Sequence, residues 1–190
     1  MDSSANLTGK MLIAMPGMRD PRFEHSVILI CAHSDDGAMG LVVNRPMPEV
    51  GFSDLLGQLG IDTSDDTTDI PVRFGGPVEP GRGFVVHRVT EGDELDETRM
   101  RIDGDLAMST TRDILEDFAH GRGPQPAMLA LGYAGWGPGQ LDSEILDNGW
   151  LTRDRLDELI FGQDNSGKWR AALQGMGIDP LALSPSAGRA

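Results

Sequence analysis

Gln140 and Glu144 stand four residues apart in the stretch GYAGWGPGQLDSEI, Gly132 to Ile145. On a helix that spacing puts an amide and a carboxylate on one face. Leu141 and Ile145 then share the adjacent face, which points to the core. Trp136 precedes the helix, so Glu144 is placed either at the edge of a pocket lined by Trp136 or on a solvated helix surface. The glycines admit a second chemistry. A strand, then glycines, then a helix start is the geometry that cradles phosphate. The fingerprints fail, however. No Lys-Ser or Lys-Thr follows the glycines, and Gln140 occupies the place where a dinucleotide loop needs its last glycine. Tight turning and close backbone packing are the competing reason for such glycines.

Other reactive side chains are scattered. His25, His33, His87 and His120 have no metal-ligand spacing, and no metal site is expected. His33 ends an apolar run and His87 lies within another; each is either a base near neutral pH or a histidine bonded to backbone. Cys31, the single cysteine, sits in an apolar run, where burial makes a thiol inert. Ser109, Thr110 and Thr111 precede a helix and read as capping residues. Asn44 and Arg45 follow a strand; the planar fork of Arg45 suits a carboxylate or phosphate, or a nearby Asp or helix carbonyl.

These residues need a scaffold, and 190 residues with 39% hydrophobic content supply one core. The formal charge of −14 opposes direct nucleic-acid binding and anionic membrane surfaces. One cysteine excludes an internal disulfide, and no apolar run spans a bilayer. The expectation is a cytoplasmic protein with a flexible tail over 1–8, one domain over 9–179 and a flexible tail over 180–190.

Strands are expected at Lys10–Met15, Ser26–His33, Met39–Asn44, Val72–Phe74, Gly83–Val89 and Pro126–Tyr133. Arg99–Ile102 pairs with Asp105–Ser109 across Asp103-Gly104. Glu91–Glu97 is an acidic loop, and 61–70 a surface loop. Helices are expected around Phe52–Leu59 with Ser53 as N-cap, from Thr110 or Thr111 to Gly121, and over Pro138–Asp147. Two more follow, one carrying Leu156, Leu159 and Ile160 after Thr152, the other Trp169, Ala172, Leu173 and Met176 after Ser166. The fold class is α+β: a single domain with a mixed, largely antiparallel sheet, rich in hairpins and bent or barrel-like, packed by several helices.

Four stretches occur in order: LIAMPGMRDPRFEHSVILICAHSDDGAMGLVVNRP, FGGPVEPGRGFVVH, TTRDIL and ALGYAGWGPGQLDSEILDNGWL. Together they resemble the AlgH/YqgE family of bacterial proteins over roughly residues 7–152. The resemblance implies a cytosolic single-domain α+β protein with an unusual mixed sheet. One branch of that family is labelled a transcriptional regulator of alginate synthesis. The resemblance carries over no catalytic residue, cofactor or substrate. The family often has an acid in Cys-Glu-His-Asn, where this chain reads Cys31-Ala32-His33-Ser34. Asp20, Pro21, Phe23, Asn44, Arg45, Pro46, Gly75, Gly76, Pro77, His87, Gly135, Trp136, Gln140 and Glu144 match the family pattern. The first, second and fourth stretches are expected to meet at one groove, with Asn44, Arg45, His87, Trp136, Gln140 and Glu144 as its ligand-binding candidates.

Three functions fit. The first is a non-enzymatic binding or regulatory module for a protein partner or small ligand, with no cofactor. The second is an enzyme combining Glu144, Arg45 and a histidine. The third is a transcriptional regulator acting through a protein partner.

Overall fold

A computed structural model describes residues 6–89, 95 and 99–181. The apolar run before Ser34 forms β2 (Val27–Ser34), which turns at Asp35-Asp36 into β3 (Gly37–Val42). β1 (Met11–Ala14) covers the other edge of β2. Next to β1 lies β9 (Trp150–Arg153), where the sequence had suggested only a link between helices. Four residues after a helix carry too short an alternation to be seen without the strand they pair with. The remaining strands are β4 (Val72–Phe74), β5 (Val78–Arg88), β6 (Arg99–Asp103), β7 (Leu106–Ser109) and β8 (Ala127–Trp136). They form one curled, half-barrel sheet in the order β6-β7-β5-β8-β3-β2-β1-β9. All pairings are antiparallel except that of β4 with β8, so the sheet is mixed and largely antiparallel as expected.

β8 is the hub. β5 occupies one of its edges; on the other, β4 pairs with Leu129–Leu131 and β3 with Ala134–Trp136. The side-chain phase changes midway along it. Met128 and Ala130 join a cluster with Met11, Leu29 and Leu106, whereas Ala134 and Trp136 join one with Leu12, Ile28 and Trp150. Strict alternation would keep all four on one face. Gly132 lies between them with φ +76°, opposite the register shift between Val78 and Gly83. A bulge there re-aims everything that follows. An added Cβ on Gly132 would lie 2.3 Å from the Gly76 carbonyl oxygen, so the two glycine turns interlock backbone to backbone.

Helices cover both faces, which is why strand after strand is apolar throughout. α1 (Phe52–Gln58) and α2 (Arg112–Ala119) pack through Phe52, Leu56, Ile114 and Phe118 against Val72, Val85 and Leu129. α4 (Asp157–Phe161) and α5 (Lys168–Gly175) cover the opposite face through Leu159, Ile160, Ala172 and Leu173. α3 (Gln140–Leu146) buries Leu141, with Ile145 packed against the cluster of Trp136 and Trp150. Arg73 of β4 is 1% exposed and donates to Met128 Sδ and to the carbonyls of Ile160 and Gly162 at the end of α4. Burial lowers its pKa to about 10.

Several local expectations are corrected. Gly51, not Ser53, is the N-cap of α1; Ser53 lies inside the helix. Thr111 is the N-cap residue of α2, without a side-chain capping bond. α3 starts at Gln140 rather than Pro138, because Gly139 adopts φ +70°, a left-handed conformation outside the helix. β3 ends at Val42, so Asn44 lies beyond it, and β5 begins at Val78 rather than Gly83. Leu7, expected in a loose tail, packs against the third cluster, and its N–H donates to His33 Nδ1 at 3.0 Å. The acidic loop Glu91–Glu97 falls, but for residue 95, outside the described residues. So do residues 1–5 and 182–190 of the two tails.

Candidate functional site

The bulge at Gly132 delivers Trp136 to the face covered by α3. There its indole Nε1 donates to Glu144 Oε2 at 2.7 Å. Trp150 of β9 donates to the same oxygen at 3.0 Å. Gln140 Nε2, one helical turn before Glu144, donates to Oε1 at 3.2 Å. A carboxylate oxygen accepts about two bonds, so Oε2 is saturated and Oε1 keeps a second lone pair. Gln140 also uses its Oε1 to accept the Gly137 N–H at 2.9 Å. That N–H is one a phosphate loop would present to its ligand, so the glycine stretch is a capped turn.

Glu144 lines a cavity of about 290 Å³. Trp136 and Trp150 form one wall, their rings 6.2 Å apart at 79°. The loop between β1 and β2 forms the other, with Asp20, Arg22 and Phe23; the Phe23 ring lies 5.8 Å from Trp150, edge to face. Pro77 and Gly135 also line it. The first, second and fourth sequence stretches therefore do meet at one groove. Among the described residues its carboxylates are Asp20, Glu144 and Asp147, and its one cationic group is Arg22. Arg22 is already committed: its guanidinium bonds both Asp20 oxygens, at 2.7–3.2 Å. That bond holds the Asp20 carboxyl below its usual range.

The other candidates separate. Asn44 and Arg45 do not line the cavity; they hold its wall. Asn44 donates to the His25 carbonyl at 2.9 Å and accepts the Val27 N–H at 3.0 Å. Arg45 donates to the Pro21 and Glu24 carbonyls, at 3.4 and 3.2 Å. Both bonds come from Nη2, so one prong of its fork is held by backbone, and its charge helps to lower the Asp20 pKa. His87 lies elsewhere, 1% exposed on β5. Its Nδ1 faces the Arg88 carbonyl at 3.0 Å, which can only accept, so Nδ1 carries a proton, and Nε2 is bonded to the Ser109 hydroxyl at 2.7 Å. Alternation along β5 put His87 inside, and no sequence signal gave the face.

His33 is also constrained. The Leu7 N–H occupies Nδ1, so the proton sits on Nε2, which approaches Asp142 Oδ1 at 3.9 Å. Cys31 is buried, and burial pushes its thiol up to about 12. Native protein is expected to resist iodoacetamide at pH 8 and to alkylate fully once unfolded; ready labelling of the folded chain would contradict this burial. Among the described residues no helix is long and apolar enough to cross a membrane.

Sequence reasoning missed Arg22 and Asp147 as lining residues, and also Trp150. Its one signal was the Asn148-Gly149 turn, with Asn148 at φ +61°, marking a new element directly after α3.

The chain has relatives among known proteins. A family model described as AlgH-like matches residues 11–181. A UPF0301 protein of Paracoccus denitrificans is 79% identical over 190 residues, all of both chains. One of Jannaschia is 53% identical, over 100% of this chain and 98% of its own. The solution structure of the AlgH protein from Pseudomonas aeruginosa superposes with a TM-score of 0.77 at 36% identity, covering 100% of this chain and 97% of that one. A Corynebacterium diphtheriae protein, DIP2367, shares the fold with a TM-score of 0.74 at 22% identity, over 96% and 92% of the two chains.

Proposed function

The chain belongs to the AlgH-like family, and within that frame we propose that it is a non-catalytic binding module whose groove takes a cationic group. That group is an ammonium or guanidinium, carried by a small molecule or by a protein partner. The observation that carries the reading is Glu144, whose carboxylate is oriented by two indoles and an amide beside an aromatic wall. Ring faces attract cations, most strongly those of tryptophan. Asp20 and Asp147 add to the negative field, and Arg22 is held by Asp20. An enzyme built on Glu144, Arg45 and a histidine has less support, since no histidine lines this cavity and Arg45 is bonded to backbone. A regulatory role through a protein partner fits the same groove with a lysine or arginine of the partner as its occupant.

The test uses the indole N–H signals of the three tryptophans, Trp136, Trp150 and Trp169. Spermidine and an arginine-rich peptide are expected to shift the Trp136 and Trp150 signals and leave Trp169 in place. Glu144→Gln keeps an oxygen to accept the indoles, so the fold survives. Its binding is expected to weaken about tenfold, the scale of one lost charged contact. Equal affinity of wild type and variant, or a preference of the groove for anionic over cationic probes, removes the proposal.

A further inference from the structure

A second and larger cavity, of about 970 Å³, adjoins the first at Val78, Gly135 and Trp136. Its base is apolar: Met39, Phe84, Met108 and Tyr133. Phe84 and Met108 are core residues, 2% and 5% exposed, so the cavity opens onto the sheet itself. Among the described residues, two guanidinium groups, Arg82 and Arg101, stand in its lining against one carboxylate, Asp36. In a chain of formal charge −14 this is a local reversal of sign.

Neither arginine is consumed by a buried partner. Arg82 lies 3.4 Å from Glu79, with both side chains about half exposed, a pair worth little in water. Its guanidinium stacks 5.1 Å over the Phe84 ring, which orients it above the apolar base. Arg101 donates to the Gly104 carbonyl from one of its nitrogens and keeps further donors. The volume falls at the upper end of small-molecule sites, roughly 300–1,000 Å³. Methionine-rich walls adapt to a flexible aliphatic chain better than to a rigid ring system.

The geometry points to a site for an amphiphilic anion: a free aliphatic carboxylate whose chain lies along Met39, Phe84, Met108 and Tyr133 and whose head group bonds Arg82 and Arg101. A guanidinium matches a carboxylate in two-pronged fashion. The site is separate from the Glu144 groove in its charge and in its occupant, and shares with it only the Val78, Gly135 and Trp136 wall.

The experiment is calorimetric titration of the full chain with dodecanoate and dodecanol below their aggregation limits. Dodecanoate is expected to bind, with dodecanol at least about tenfold weaker, the scale of one lost charged contact. Arg82→Met with Arg101→Met is expected to lose that preference, with its urea midpoint checked for folding. Arg82→Glu alone, on an exposed side chain, is expected to weaken dodecanoate about tenfold and leave dodecanol unchanged. The double variant is expected to keep the spermidine-induced shifts of Trp136 and Trp150, which keeps this site distinguishable from the cation groove. Absence of dodecanoate binding, equal binding of the two probes, or an unaffected double variant overturns the assignment. Flotation with phosphatidylglycerol vesicles reads the other source of the same chemistry; the protein is expected to stay in solution, and co-flotation overturns the free-carboxylate assignment.

Discussion

Gly132→Ala is expected to cost roughly 3–5 kcal/mol of folding free energy, the size reserved for backbone strain joined to a steric collision. Gly139→Ala is expected to cost only about 1 kcal/mol, the ordinary strain of a left-handed alanine. The two glycines have nearly the same dihedral, φ +76° and +70°. Their surroundings differ. A Cβ on Gly132 meets the Gly76 carbonyl oxygen at 2.3 Å, then Pro80 and Val78 backbone at 3.1 Å, while a Cβ on Gly139 meets nothing within 4 Å. Backbone on both sides leaves no flexible side chain to give way. Urea midpoints of the two variants against wild type check this. Equal midpoint shifts would mean that the interlocked turns relax freely. Because the bulge also turns Trp136 toward Glu144, partly folded Gly132→Ala is expected to lose the shifted indole signal of Trp136 as well.

The second large effect is a dependence of stability on pH set by Lys168. It opens α5 and is 4% exposed, with its Nζ donating to the Val43 carbonyl at 3.0 Å. Burial, with Arg73 nearby, lowers its pKa to about 7, against a weaker opposing pull from Asp164. A cation in the first turn also opposes the helix dipole. The unfolded chain keeps this proton up to the ordinary lysine value of 10.5, while the folded chain sheds it near 7. The unfolded state therefore binds more protons across that window, and stability rises with pH through it. Each pKa unit is worth about 1.4 kcal/mol, and half the shift alone gives about 2 kcal/mol. Lys168→Met is expected to flatten that rise, so its stability gains on wild type as pH falls from 10 to 7. The lost bond to Val43 shifts the variant's curve by a constant and leaves the slope as the readout. Parallel curves for the two proteins would show that Lys168 titrates in the folded state as it does in water.

Sequence patterning carried much of the scaffold because its signals are local. Apolar runs between turns located β1, β2, β4 and the core of β8, and Asp103-Gly104 located the β6–β7 hairpin. What local signals miss is what depends on a partner strand or a cap geometry. β9 was lost because it exists only beside β1. The true cap of α1, Gly51, has no side chain, so the capping signal of Ser53 pointed two residues too far.

The sequence by itself determined the fold class, the family and the failure of the phosphate-loop fingerprints, since composition, period and motif spacing are properties of the chain in one dimension. It also placed Gln140 and Glu144 on one helix face. Only the tertiary structure decided which of the six candidates line one cavity. Trp136, Gln140 and Glu144 do, joined by Trp150; Asn44 and Arg45 instead brace the opposite wall, and His87 is bonded to Ser109 inside the sheet. The physical reason is that residues far apart in sequence meet through strand order and pleat phase. A single left-handed glycine on β8 sets that phase, and no count along the chain reveals which face follows it.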